Sequence, residues 1–161
     1  MAVSPTFDLC QLSHSACCLD KDAATEALLA PLGTTDPSDG DPHPITLSHT
    51  SRLYKVLLQG GHFSHATNAV VTRPNFNPSA FATAFLRHVK PEDIVAMVHG
   101  GGGFVVAALL ERVAVDGTAE ECSGLNKCLS GLKNDEGQSI RGWSALSDAR
   151  RLLESKAVGV T

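Results

Sequence analysis

The run His99-Gly100-Gly101-Gly102-Gly103-Phe104 comes nearest, in residue types and spacing, to known reaction chemistry in this 161-residue chain. A His-Gly-Gly-Gly string serves lipases and esterases as an oxyanion hole, because residues without a Cβ let backbone amides turn toward developing negative charge. That chemistry needs a nucleophile on a Gly-x-Ser-x-Gly elbow, and no such pentapeptide occurs in the sequence. A phosphate-binding loop fails in the same way, since Gly-Lys-Ser/Thr must follow its glycines and Phe104-Val105 stands there instead. The glycines therefore read as a tight bend between two helices that lets backbones approach closely. An esterase-like hydrolase is kept as a remote alternative, and no catalytic residue is expected.

Seven histidines raise the question of a metal, with His62 and His65 close in sequence and His43 near His49. Zinc sites add third and fourth ligands at short spacing and an orienting shell, and residues 60 to 70 offer no sulfur or carboxylate for it. No metal and no cofactor are expected. Cys10, Cys17, Cys18, Cys122 and Cys128 form an odd set without a Cys-x-x-Cys pair, which points to a reducing compartment. Cys122 and Cys128 read as small apolar fillers of a helix.

Ser51, Arg52 and Lys55 place a hydroxyl and two cations within about one helical turn, ahead of Gly60-Gly61. These groups can hold phosphate oxygens, although a solvated helix face has the same composition. Overall, 13 Lys+Arg face 17 Asp+Glu, for a net charge of −4. That balance excludes a binder working through bulk positive charge, so any nucleic-acid contact must be local.

The elements that must position these residues are helices. The length suits one domain, burying roughly two-thirds of the unfolded chain's surface, and 43% of residues are apolar. Residues 1 to 19 show no clean period. A helix is predicted over about 20 to 30, with Asp20 and Asp22 at its start and Pro31 and Gly33 stopping it. Residues 32 to 47 read as a loop.

Ser48 to Gln59 reads as a helix with Leu53, Val56 and Leu57 on its apolar face, capped by Ser48 or Thr50. Asn77-Pro78 opens another, carrying Phe81, Phe85, Leu86 and Val89. Pro91, Glu92 and Asp93 open a third, and Phe104 to Val115 is a nearly all-apolar fourth. Thr118 and Glu121 have capping-box spacing before Cys122, Leu125, Cys128, Leu129 and Leu132. Ser139 to Ser155 forms the last, with Gly142 a weak spot. No segment reads as a membrane span or secretory signal. The expectation is an all-α stack over residues 20 to 155, followed by a tail over 156 to 161.

The strings Ser51-Arg52-Leu53-Tyr54-Lys55-Val56-Leu57-Leu58-Gln59-Gly60-Gly61-His62-Phe63, Phe76-Asn77-Pro78-Ser79-Ala80-Phe81-Ala82, and Ala96-Met97 through Gly103-Phe104-Val105-Val106 recur together in one family. In that order they resemble the C-terminal region of the nucleolar Pumilio-like proteins, the Pumilio homology domain family member six and Puf-A group with its CPL domain. The resemblance covers about residues 20 to 155. It implies the C-terminal part of a superhelical stack of Pumilio repeats, in the nucleus and nucleolus. It also implies a noncatalytic RNA-binding role in large-subunit assembly and pre-rRNA processing, with translational repression of a messenger in some members. Implied partners are pre-rRNA or messenger RNA and pre-ribosomal proteins, with no membrane and no small-molecule substrate.

Base-reading Pumilio repeats use two adjacent positions and one three further along the second helix. The resemblance assigns those positions to Ser51, Arg52 and Lys55 in one repeat and to Gly103, Phe104 and Ala107 in the next. The first set can hold phosphate, whereas the second has no side-chain donor or acceptor and cannot read a base edge. Backbone binding without a base code is therefore expected, with a helical protein-docking module as the alternative. The family's further repeats and Lys-rich leader are not in this chain, so the expected object is a piece of a stack with an apolar end surface.

Overall fold

The computed structural model describes residues 21–34, 43–133 and 140–158. Among these, the elements are α1 (Lys21–Thr34), a 3-10 turn (Pro44–Thr46), α2 (Ser48–Gln59), β1 (Gly61–Ser64), β2 (Ala69–Thr72), α3 (Pro78–His88), α4 (Pro91–Met97), a π turn (Val98–Gly102), α5 (Gly103–Asp116), α6 (Ala119–Leu129) and α7 (Trp143–Val158). The architecture is predominantly helical. Sequence expectations for residues 1 to 19 lie outside the described residues, and α7 runs on into the segment set apart as a tail.

α5 is the central element. Val105, Val106, Ala107, Ala108, Leu109, Leu110 and Val113 are all buried, so helices pack around most of its circumference. It docks most extensively on α7, through Leu146, Ala149 and Leu153, and next on α2. By length and composition, Pro91–Asp116 could cross a membrane. Gly101, at φ 99°, bends that stretch, and most of its apolar side chains pack into the interior.

Local chemistry sets the helix ends where the sequence marks them. The Asn77 side chain accepts from the Ser79 and Ala80 amides, ahead of Pro78. Thr118 accepts from the Glu121 amide while Glu121 accepts from the Thr118 amide, closing the capping box. Gly60 ends α2 in the left-handed region at φ 78°.

Several expectations need correction. α1 does not stop at Pro31 but continues through it to Thr34. Leu29 and Leu32 are both buried there, and Gly33 lies so close to the His88 carbonyl that a Cβ would stand 2.5 Å from it. Tertiary packing outweighs the lost proline hydrogen bond. The 32–47 segment is not loop throughout, since Pro44–Thr46 forms a 3-10 turn in which His43 accepts from the Ile45 amide and buries Ile45.

Neither Ser48 nor Thr50 caps α2, because Leu47 occupies the N-cap position and no side chain bonds the first amides. Its buried face is turned to Tyr54 and Leu58, leaving Leu53 42% exposed. The Tyr54 hydroxyl donates to the Leu28 carbonyl at 2.6 Å, which lets the ring go inside without orphaning its polar end. The last helix starts at Trp143, just after Gly142 at φ 82°.

The antiparallel hairpin β1–β2 was not foreseen. Gly61 pairs with Thr72, His62 with Val71, Phe63 with Val70 and Ser64 with Ala69. The Arg73 amide donates to the Gly60 carbonyl at 3.0 Å, rooting the returning strand on the end of α2. A Cβ at Gly61 would stand 2.0 Å from the Val71 carbonyl, so only glycine permits this closure.

Candidate nucleic-acid interface

α2 presents Ser48, Ser51, Arg52 and Lys55 along one face, at the three-and-four spacing of a helix. Across from them lies the bend between α4 and α5. Together they enclose a cleft of about 260 Å³, lined also by Thr46, Gly101, Phe104 and Arg141 over a base of Ile45 and Val105. Ile45 and Val105 are each 1% exposed and hold the cleft walls on the core.

Three cations, Arg52, Lys55 and Arg141, share this lining, which includes no carboxylate among the described residues. None of the three is ion-paired among the described residues. Arg112 and Arg151 differ in this respect. Arg112 is bonded to Asp116 and to the Leu58 and Gln59 carbonyls, and Arg151 lies 3.7 Å from Asp148. Arg112 is thereby occupied by the fold, whereas the cleft's three cations, like Arg73, have no carboxylate partner among the described residues.

Phe104 takes part in that electrostatics. The Lys55 ammonium sits 5.5 Å from its ring centroid, a cation–π contact worth about 0.5–1 kcal/mol at an exposed site. A Cβ at Gly142 would come within 3.1 Å of Phe104, so Gly142 gives the ring room. Phe104 thus ties the Lys55 side chain to the lining of the cleft.

The structure therefore brings Ser51, Arg52, Lys55 and Phe104 together, and it separates Gly103 and Ala107 from them. Ala107 is 3% exposed and belongs to the core. Gly103 is buried against the chain at Arg141, where a Cβ would stand 2.1 Å from the Arg141 carbonyl. This approach carries Arg141 to the cleft. The glycine run is a bend and a packing surface: Gly102 lies on Met97 and Ile45, and Gly101 faces open space.

Arg141 was missed by sequence reasoning, which treated Gly142 only as a weak spot in a helix. The charge distribution carries a signal for the α2 side of the cleft, though not for Arg141, which lies outside the acid-free stretch. From Pro42 through Pro91 the sequence has Arg52, Lys55, Arg73, Arg87 and Lys90 and not one Asp or Glu. The histidines are not gathered, and no cluster of three metal-binding side chains occurs among the described residues. His43 is used in the 3-10 turn, and His88 pairs with Glu26. Cys122 is buried as a filler, with burial raising its thiol pKa, while Cys128 is only partly covered.

Comparison with family models, with curated proteins and with solved structures finds no match for this chain.

Proposed function

We propose that this chain is a noncatalytic RNA-associated module that grips the sugar–phosphate backbone in the Arg52–Lys55–Arg141 cleft and reads no base sequence there. One observation carries the reading: three cations free of carboxylates meet two serines at a single cleft in an otherwise acidic chain. Phosphate oxygens satisfy guanidinium, ammonium and hydroxyl donors together, and such contacts fix position without carrying sequence information. The burial of Gly103 and Ala107 supports the lack of a base code. The resemblance to the C-terminal region of nucleolar Pumilio-like proteins supplies the context. In this reading the chain is part of a Pumilio-type helical stack that acts in the nucleolus on pre-rRNA and pre-ribosomal proteins during large-subunit assembly.

The test is the salt dependence of binding to a labelled uridine oligomer of about twelve nucleotides. Three phosphate contacts to a single strand give a log–log slope of about −2, or roughly an 18-fold loss of affinity between 50 and 200 mM salt. Replacing Arg52→Gln and Lys55→Gln together should reduce the slope to about −0.7 and the loss to about 2.6-fold. An unchanged slope moves the assignment to a helical protein-docking module.

A further inference from the structure

We infer that the β1–β2 hairpin is a stacking platform for an unpaired nucleobase, with Phe63 as the ring on which the base lies. The inference rests on the reading of the cation cleft as a phosphate site and extends the RNA path beyond it. Phe63 is 49% exposed, and its cross-strand neighbour Val70 is 38% exposed on the same face. The His65 ring meets Phe63 edge-on, with centroids 5.2 Å apart and an interplanar angle of 82°, which steadies the ring near the hairpin tip. The base of the hairpin is tied to α2 by the Arg73–Gly60 hydrogen bond and the close Gly61–Val71 approach. A two-stranded hairpin is marginal alone in water, so this anchorage matters.

Charge complementarity selects the occupant. Arg73 stands at the foot of the same hairpin, where its amide meets the Gly60 carbonyl, and the whole stretch from Pro42 to Pro91 lacks an acidic residue. Arg73 is exposed and makes no ion pair among the described residues. An exposed aromatic ring in an acid-free stretch that carries Arg73 suits a base on an anionic backbone, since stacking uses the π-face and the guanidinium meets a phosphate. The path length also fits. From Lys55 to Phe63 the chain runs about 6 Å along α2 and then four residues of turn and strand, at most about 19 Å in all. At roughly 3.4 Å per stacked nucleotide, no more than about six nucleotides bridge that distance, fewer than the roughly twelve of the test oligomer.

The experiment compares the uridine oligomer with an abasic ribose–phosphate oligomer of equal length, using the full chain and fluorescence anisotropy. Phe63→Ala should weaken uridine binding about tenfold, leave abasic binding unchanged and leave the salt slope unchanged. Phe63→Tyr should restore the affinity, and Phe63→Leu should not. Equal losses on both oligomers, no loss on uridine, or full rescue by leucine would each overturn the inference. Failure of the cleft reading looks different. In that case Arg52→Gln with Lys55→Gln leaves the slope unaltered, while the Phe63→Ala difference between the two oligomers persists.

Discussion

Replacing Gly103 by alanine tests whether the glycine run serves close backbone packing. A Cβ there would lie 2.1 Å from the Arg141 carbonyl oxygen, whereas ordinary C···O contacts begin at about 3.3 Å. The α5 start and the Arg141 segment must therefore separate by more than about 1 Å, and overpacking of this kind costs about 1–3 kcal/mol. Gly103 already has helical angles, φ −55° and ψ −36°, so alanine recovers up to about 1 kcal/mol of helix propensity. The net is a loss of about 1–2 kcal/mol. For a chain this long, thermal unfolding by circular dichroism should show Tm lower by about 2–8 °C. Gly124 is the control, being inside α6 with no atom near its would-be Cβ. Gly124→Ala should raise Tm by about 1–4 °C. Displacing Arg141 should also remove one phosphate contact, about 0.7 from the salt slope. If Gly103→Ala proved as stable as Gly124→Ala, the close-approach explanation would be wrong.

Two further outcomes follow from α6 and the end of α5. Thr118→Ala opens the capping box and should cost about 1 kcal/mol, read as a Tm fall of about 2–4 °C. The Asp116 carboxyl is held below its ordinary value of 3.8, first by the Ser79 hydroxyl donating at 2.6 Å and then by Arg112. A lowered native pKa means that the unfolded chain binds the proton more readily. Stability from this group is present above pH 3.8 and is lost as pH falls through the native value. Asp116→Asn should flatten that acid limb in denaturant titrations repeated across pH, and an unaltered limb would exclude the carboxylate as its source.

Helix starts were legible because each is a local reaction between a side chain and a free amide. Asn77-Pro78 and Thr118 to Glu121 need no distant partner, and the structure has both. Features that depend on distant segments were less legible. Pro31 reads as a stop until Leu32 is placed in the core, and the α2 face reads from Leu53 until the Leu28 carbonyl is available to Tyr54. The hairpin has its own signal in Val70, Val71 and Thr72, β-branched residues following Asn68 at φ 50°. Gly60-Gly61 hid it, because the pair reads as one terminator while its two glycines do different jobs. Arg141 was invisible for another reason: only the contact between Gly103 and its carbonyl carries it across the fold to Arg52 and Lys55.

Net charge and local charge give opposite answers for this molecule, and distance decides between them. At physiological ionic strength the screening length is about 8 Å, so a phosphate at the cleft feels its immediate lining far more than carboxylates elsewhere. All 17 acidic residues lie outside the stretch from Pro42 to Pro91. Of those near its folded surface, Asp116 is ion-paired with Arg112, and Glu26 is hydrogen-bonded to His88. Acidity in the remainder then works for orientation. If the cleft takes RNA as proposed, that acidity would repel the strand from the rest of the surface and leave the α2 face and hairpin as the direction of approach. The same segregation predicts a shallow salt dependence, since a few fixed cations, rather than a diffuse basic surface, release the counterions.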